Sequence, residues 1–392
     1  MITVLHLITG LEADGAEHQL LFLVTRSDPQ NFRHAVVSVT SLGPVGERLQ
    51  AAGIAVHALN VTGGLSLVTG LLKLWRMLRR QRPDILHCWM YHANLLGLVA
   101  GKLAGVRHIL WGILCGNIDF SLYKPRTARV MKICAWLSPA CQYVIYNSTS
   151  GRKVHETWGY DASRSVTIVS GFDLQKFQPA PQQRSVLRNK LGLEPDSFLI
   201  GLVARFHPIK DHETFLRAAD LVAQRRPLIR FLLVGDGIPQ SSEISRIISS
   251  AGLDGKVHVL GRHDDMPRLN AALDIACSSS ASEGFSNTIC EALACGVPCV
   301  ATDVGDSADI VGDAGLLVPP GSPADMADAL CELADLPPSE RLARGNRGRK
   351  RIQDNFSIAK IVKQYEALYL KANSGRETAG AKTQAVDEPI SD

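Results

Sequence analysis

The chain has 392 residues, of which 46% are hydrophobic, and a formal net charge of +4. This length accommodates two domains that each bury a core, so a fibrous or disordered chain is excluded. No apolar run approaches the ~20 residues that span a bilayer. The opening residues, MITVLHLITG, lack the basic segment and cleavage site of a signal peptide and are more typical of a β-strand. We therefore predict a cytoplasmic globular protein.

The positive charge is concentrated in the first half of the chain. Residues 1–172 hold 17 Lys+Arg and 9 Asp+Glu, a surplus of 8, whereas the remainder, with 25 and 29, has a net charge of −4. Two basic segments without acids, 66–82 and 121–136, carry much of this surplus. Cations interleaved with Leu and Trp suit contact with an anionic membrane surface. The alternative is an ordinary surface helix whose apolar face packs on a sheet.

The nine cysteines include no C-x-x-C pair, and most of them lie in apolar surroundings. This usage favours reduced, buried cysteines over disulfides or a metal site.

Along the chain, short apolar runs alternate with helical patterns, beginning with ITVLHLIT and AEHQLLFLVTRS. This alternation predicts α/β units around a parallel sheet that is buried on both faces. A second series begins at SFLIGLVAR, and Pro179 and Pro181 interrupt the pattern before it. We predict a first Rossmann-like domain over 1–172, a linker over 173–196, a second Rossmann-like domain over 197–355, a C-terminal helix over 356–373 that crosses back to the first domain, and a disordered tail over 374–392.

Ligands of open α/β sheets bind beyond the carboxyl ends of the strands, so motifs are expected there. After the first predicted strand, TGLEADGAEHQLL places Gly15 at the start of a helix, whose amide groups suit a phosphate or a sugar. The glycine spacing matches neither a dinucleotide fingerprint nor a Walker loop. The glycines alone are therefore weak evidence.

The first strand of the second domain is followed by VARFHPIKD, with Arg205 at the strand end and Lys210 before a helix that Asp211 could cap. Two cations at this edge suggest recognition of a diphosphate, and ordinary surface charges are the alternative interpretation. The turn VGDG, at 234–237, follows another strand and includes Gly235. The alternative interpretation is that this turn only connects two elements and binds no ligand.

The stretch SASEGFSNTICEALACGVPC places Glu283 in a loop and Glu291 eight positions later, in a helix that begins near Asn287. The loop carboxylate can reach the hydroxyls of a sugar, and the helical one can accept both hydroxyls of a ribose. The amides at the helix N-terminus lie between them, next to the phosphates of a nucleotide-sugar.

Together with GLLVPPGSPADMADAL, these motifs resemble the retaining glycosyltransferases of family 4, over nearly the whole chain. The resemblance implies a GT-B fold, in which two Rossmann-like doubly wound domains face each other across a cleft. It implies that Arg205 and Lys210 neutralise the leaving diphosphate and that Glu283 binds the donor sugar, which makes these three the predicted catalytic residues. The implied donor-binding residues are Gly15, Gly235, Arg262, Gly284, Phe285, Ser286, Asn287, Thr288 and Glu291.

The resemblance also implies catalysis without a metal or another cofactor, with a UDP- or GDP-sugar as co-substrate, and no Asp-x-Asp occurs in the chain. Two departures concern the first domain. Asp14 and Gly15 stand where the family commonly has two adjacent glycines, and the loop WGILCGNIDF lacks a histidine that the family often has. The acceptor-side candidates are Glu17, His87 and His92. For both histidines, packing or helix capping is the alternative.

The leading interpretation is a retaining hexosyltransferase that uses a glycan or lipid-linked acceptor in surface polysaccharide assembly, peripheral at the inner face of the plasma membrane, with no nucleic-acid partner. A nucleotide-sugar 2-epimerase or a phosphorylase of the same fold is one alternative. A nucleotide-sugar-binding scaffold without turnover is another. A dehydrogenase is disfavoured, because neither half has a glycine fingerprint with its ribose-binding acid.

Overall fold

The computed structural model describes residues 1–12, 15–116, 125–194, 196–263 and 265–374. The chain divides into two units. The first consists of Met1–Gly171 and the described residues from Ile358 onward, and the second is Phe172–Ser357. The predicted tail lies outside the described residues, apart from Ser374.

The first unit is built on a seven-stranded parallel sheet. Its strands are β1 (Ile2–Ile8), β2 (Phe32–Ser38), β3 (Ala55–Ala58), β4 (Ile85–Trp89), β5 (His108–Ile113), β6 (Tyr143–Tyr146) and β7 (Ser165–Thr167), and its first helices are α1 (Gly15–Arg26), α2 (Gly43–Ala51), α3 (Leu65–Gln81), α4 (Tyr91–Ala104), α5 (Pro125–Leu137) and α6 (Thr149–Thr157). The strand order is β3-β2-β1-β4-β5-β6-β7. Every residue of β4 and β5 is buried, as expected for parallel strands covered on both faces.

Alternate residues of β1 supply the two halves of this core. Leu5 and Leu7 pack with the buried side chains of α3, α4 and α5. Val4 and Ile8 pack on the other face, with α1 and α2. The period of two along the strand therefore decides which helices cover which face.

The second unit has a six-stranded parallel sheet. Its strands are β8 (Phe198–Val203), β9 (Ile229–Val234), β10 (Val257–Leu260), β11 (Ile275–Ser278), β12 (Cys299–Thr302) and β13 (Gly315–Val318), and its helices are α7 (Pro181–Lys190), α8 (His212–Arg225), α9 (Ser242–Ser250), α10 (Met266–Ala272), α11 (Asn287–Ala294), α12 (Ser307–Val311), α13 (Pro323–Asp335) and α14 (Pro338–Phe356). The order β10-β9-β8-β11-β12-β13 repeats the order of the first six strands of the other sheet. The predicted class, α/β with two Rossmann-like parallel-sheet domains, is confirmed.

The predicted linker and the predicted last helix belong to different units. The segment expected to be a linker, 173–196, belongs to the second unit and contains α7, with Pro181 in its first turn. The last helix, α15 (Ile358–Asn373), belongs to the first unit, where Tyr365 and Tyr369 are buried in the core.

All nine cysteines are among the described residues. They are free thiols, and eight of them are buried, as the sequence predicted. In the ranges that the structure describes, no helix combines the length and the apolarity needed to cross a membrane.

Candidate functional site

The candidate site lies where the strand order of the second sheet reverses. β8 pairs with both β9 and β11, so the connections that leave β8 and β11 run to opposite sides. Arg205 and Lys210 follow β8, and Glu283 follows β11. Ligands of doubly wound sheets bind at such a switch point.

Lys210 and Glu283 are in direct contact. The Lys210 Nζ atom forms an ion pair with Glu283 Oε1, and the Ser280 hydroxyl donates to the same oxygen at 2.8 Å. The side chain of Glu283 is 13% exposed and that of Lys210 is 26% exposed. The sequence predicted both residues for the site but did not predict that they pair.

Arg205 is exposed, five residues before Lys210 in the sequence. Its loop is held against the turn 234–237, because Ala204 N donates to Val234 O at 2.9 Å and Phe206 N donates to Asp236 O at 2.8 Å. A Cβ atom at Gly235 would lie 2.0 Å from Ala204 O. Glycine at this position therefore has a structural reason, close backbone approach, beside its predicted role in donor binding.

Helix α11 begins at Asn287, as predicted from the sequence. Ser286, at its N-cap, makes no side-chain cap bond. The buried atoms Ser286 Oγ and Asn287 Oδ1 have no hydrogen-bond partner among the described residues. Buried polar groups are nearly always satisfied, so these two atoms and the free helix amides favour a polar ligand here.

The other donor-binding candidates around the start of α11 are partly buried. Gly284 and Thr288 are half-buried, and Gly284 O accepts a bond from Asp306 N at 3.0 Å. Phe285 is buried with its ring centroid 5.4 Å from that of Phe356. The phenyl ring of Phe285 is therefore packed in the core, and only the backbone of this residue can contact a ligand.

Glu291 lies in the second turn of α11, beside buried apolar residues such as Cys290 and Ala292. Burial raises the pKa of Glu291 to about 7, and the positive charge of Lys176 opposes this rise. At neutral pH the carboxylate is therefore close to half ionised. Lys176 was not singled out in the sequence, since it lies in the segment interpreted as a linker.

The remaining donor candidates belong to different units. Arg262 is exposed two residues beyond β10, and Gly15 is exposed at the start of α1, in the first unit. Asp14, and residues 117–120 of the segment WGILCGNIDF that lacks a histidine, lie outside the described residues.

The acceptor-side candidates take different positions. Glu17 is half-buried in the first turn of α1, and His92 is exposed in the first turn of α4. His87 is within β4 and fully buried, with Nδ1 2.8 Å from the Tyr369 hydroxyl. Burial lowers the pKa of His87 to about 3, so its ring is neutral at physiological pH. His87 lies inside β4, which continues for two more residues, and not at the end of the strand, where a substrate contact was expected. Its position therefore fits the packing alternative.

Metal ligands are not grouped in the described ranges, where no three His, Cys, Asp or Glu side chains are placed to hold an ion. The site consists instead of two cations, two carboxylates and a helix N-terminus. This set can bind an anion through charge and hydroxyl groups through carboxylate acceptors.

Comparison with known proteins identifies the family. Residues 2–176 match the family model described as Glycosyltransferase Family 4, and residues 197–335 match the one described as Glycosyl transferases group 1. A D-inositol 3-phosphate glycosyltransferase of Salinispora arenicola is 30% identical over 310 residues, which are 74% of this chain and 69% of that protein. An Escherichia coli UDP-Gal:alpha-D-GlcNAc-diphosphoundecaprenol alpha-1,3-galactosyltransferase is 24% identical over 341 residues, 84% of this chain and 86% of the other.

The fold is similar to that of Anabaena HepE, whose crystal structures contain UDP and glucose or UDP-glucose. The structure with UDP and glucose has a TM-score of 0.82 and 23% identity, and the match covers 95% of this chain and 100% of HepE. From the two family models and the relative that is 30% identical, the chain belongs to the family 4 glycosyltransferases.

Proposed function

We propose that this glycosyltransferase binds a UDP- or GDP-sugar beside β8 and β11 and transfers the sugar, with retention of configuration, to a glycan or lipid-linked acceptor. The observation that carries the proposal is the Lys210–Glu283 pair beside the α11 N-terminus, with Glu291 one turn further along the helix. The relatives support the substrate class. The Escherichia coli protein is named for UDP-Gal and a diphosphoundecaprenol-linked acceptor, and HepE was crystallised with UDP-glucose.

The donor would be held at three points. Glu291 accepts from the ribose hydroxyls, and Glu283 accepts from hydroxyls of the sugar. The diphosphate lies at the α11 N-terminus, where the Ser286 hydroxyl can donate to it together with the helix amides. Burial of this anion is favourable because Arg205 and Lys210 supply two positive charges.

The chemistry that this arrangement supports needs no enzyme base. As the bond between the sugar and the diphosphate breaks, negative charge develops on the leaving oxygen, where Lys210 and Arg205 stabilise it. The acceptor hydroxyl attacks the same face of the sugar and gives its proton to that phosphate oxygen. Attack on the face that the diphosphate leaves retains the configuration. We propose that no metal or other cofactor takes part.

Donor affinity is expected to depend on the ionisation of Glu291. The folded-state pKa of about 7 lies above the ordinary value for glutamate, so the protonated form persists to near-neutral pH. Because ribose hydroxyls donate to the ionised form, affinity for a nucleotide-sugar should rise about tenfold between pH 6 and pH 8. Calorimetric titration with the sugar conjugate checks this, since its diphosphate diester does not titrate in that range. Glu291→Gln should bind more weakly and without this pH dependence, and an unchanged slope in the variant contradicts the assignment.

The donor is tested by a thermal-shift panel of UDP, GDP, ADP and their common sugar conjugates. A ligand that binds only the folded state raises the melting temperature. We expect a clear shift with UDP or GDP compounds. Silence across the panel, on folded protein, contradicts the proposed function.

The alternative without turnover, a nucleotide-sugar-binding scaffold, makes a different prediction. It binds the donor but does not consume it, with or without an acceptor. We disfavour it because the chain keeps, in one ion pair, both of the residues to which we assign catalysis, Lys210 and Glu283. The epimerase alternative is not favoured, since the relatives described above are named as glycosyltransferases.

We also propose peripheral contact with an anionic membrane, at the inner face of the plasma membrane, through α3 and α5. On α3, Leu74 and Leu78 face the core, as the packing alternative requires, but other apolar side chains are at least 44% exposed, namely Leu65, Leu67, Val68 and Leu72. Trp136 of α5 is 79% exposed. Residues 121–124 of the second basic segment lie outside the described residues.

We extend this proposed surface to α4. Helix α4 packs against both α3 and α5, exposes Leu103, and like them contains no acidic residue. Exposed apolar side chains that are flanked only by cations suit the interface of an anionic bilayer.

Co-sedimentation with liposomes tests this contact. Wild type should sediment with anionic vesicles and not with neutral ones, because each Lys or Arg near an anionic surface contributes about 1 kcal/mol. Arg79→Glu with Arg80→Glu should weaken sedimentation. The matched control is Lys153→Glu with Lys190→Glu, which changes the charge equally at exposed positions outside α3, α4 and α5. Equal losses in both variants, or no binding by wild type, would overturn the contact.

A further inference from the structure

Ser279 lies directly behind the Lys210–Glu283 pair. It follows β11 and is fully buried. Its hydroxyl oxygen lies 2.9 Å from Lys210 O and 2.8 Å from Asp211 O, so its single hydrogen is directed at these two consecutive backbone carbonyls. This side chain therefore joins the segment that carries Lys210 to the loop that carries Glu283.

A backbone bond closes the same connection. Ala281 N donates to Ile209 O at 2.8 Å, so the two segments are joined on both sides of Ser280. The far side of the loop is also fixed. Thr302 Oγ1 donates to Ser280 O at 2.7 Å, and a Cβ at Gly305 would lie 2.4 Å from Glu283 O. These contacts therefore fix the position of the loop from which the Ser279 hydroxyl donates.

The segment that receives this bond has unusual backbone geometry. Lys210 ends a single 3₁₀ turn, Pro208–Lys210, and Asp211 then adopts a left-handed conformation with φ of +45°. Asp tolerates this conformation better than most residues, at some cost in free energy. Asp211 Oδ1 also accepts from Thr214 N at 3.1 Å and so caps α8. The direction of the Lys210 side chain depends on how this short turn is held.

We propose that Ser279 is a positioning residue for sugar transfer, which holds the Lys210 turn so that the ammonium group meets the leaving diphosphate. The inference rests on the proposed function of Lys210. Ser279 itself does not reach the substrate, because it is fully buried and its hydroxyl is directed at the Lys210 and Asp211 carbonyls.

The test measures sugar release from the donor that the thermal-shift panel identifies. Ser279→Ala should lower kcat by ~10- to 100-fold, the scale of a small misplacement of a catalytic group. The dissociation constant of the nucleoside, which lacks the phosphates that Lys210 contacts, should change less than about twofold, because Ser279 donates to neither ribose nor base. The matched control is Ser138→Ala in the first unit. That hydroxyl is also fully buried and donates to a backbone carbonyl, Ala135 O, at 2.7 Å. It should leave kcat nearly unchanged.

A double-mutant cycle separates positioning from general destabilisation. In a Lys210→Ala background, Ser279→Ala should cost less than about twofold in kcat, because the group that it positions is gone. Equal losses in both backgrounds, or a wild-type kcat for Ser279→Ala, would overturn the inference. Failure of the proposed function is distinguishable, since wild type itself would then neither bind the nucleotide nor release sugar.

Discussion

Replacing Lys210 or Glu283 with alanine is expected to lower turnover by at least ~100-fold, the scale lost when one electrostatic stabiliser is removed from an active site. In the proposed mechanism, Lys210 acts on the charge of the leaving diphosphate. Glu283 would bind the sugar and, through its ion pair, hold the Lys210 ammonium in place. Release of sugar and nucleotide, measured with purified variants at saturating donor, checks both expectations.

The matched control for this pair is Lys350→Ala. Lys350 also pairs with a carboxylate, Asp354 at 2.8 Å, but its side chain is 77% exposed on α14. Exposed pairs of this kind contribute little to stability, so the control should keep full activity. Near-normal rates in Lys210→Ala and Glu283→Ala, with the nucleotide still bound, would refute their catalytic assignment.

Asp274→Ala is expected to have the largest effect on stability. The carboxylate binds Arg184 and Arg188, each at 2.6 Å, and also accepts from Leu199 N at 2.8 Å. The side chain of Arg188 is only 3% exposed. Removal of the carboxylate leaves a buried guanidinium uncompensated, which costs about 3–5 kcal/mol. Urea unfolding measured by circular dichroism gives this difference in the free energy of unfolding.

A second aspartate–arginine pair serves as the control. Asp335 pairs with Arg226 at 2.6 Å, but both side chains are about half exposed to solvent. Solvent screens such pairs, so Asp335→Ala should leave the unfolding midpoint almost unchanged. If the two aspartate variants unfold at the same urea concentration, the network around Asp274 does not hold α7 to the second unit.

The sheets were predictable from the sequence because their strands are buried on both faces. Continuous apolar runs such as ILHCW and FLIGLV leave little doubt about a parallel sheet. The helix α7 was missed for the opposite reason. Its sequence, PQQRSVLRNK, is polar, and it is held by arginine contacts with Asp274, which lies 86 residues beyond Arg188. No local pattern reports such a pairing.

The candidate site was also predictable only in part. The residue types at the ends of β8 and β11 were evident, because polar groups interrupt the pattern where strands stop. The ion pair between Lys210 and Glu283 depends on the alignment of two loops 73 positions apart and could not be derived from spacing. The raised pKa of Glu291 was not predicted either, since an acid within NTICEALA, taken alone, could equally be an exposed helical residue.

The measurement that tests retaining transfer most directly is the configuration of the sugar that the enzyme first releases from an α-linked nucleotide-sugar. With water in place of the acceptor, ¹H NMR follows the anomeric signal before mutarotation mixes the two forms. Attack on the face that the diphosphate leaves, assisted by Lys210, predicts the α-anomer first, at a rate that falls in Lys210→Ala. Release of the β-anomer first, or a rate unchanged by that substitution, would contradict the proposed mechanism.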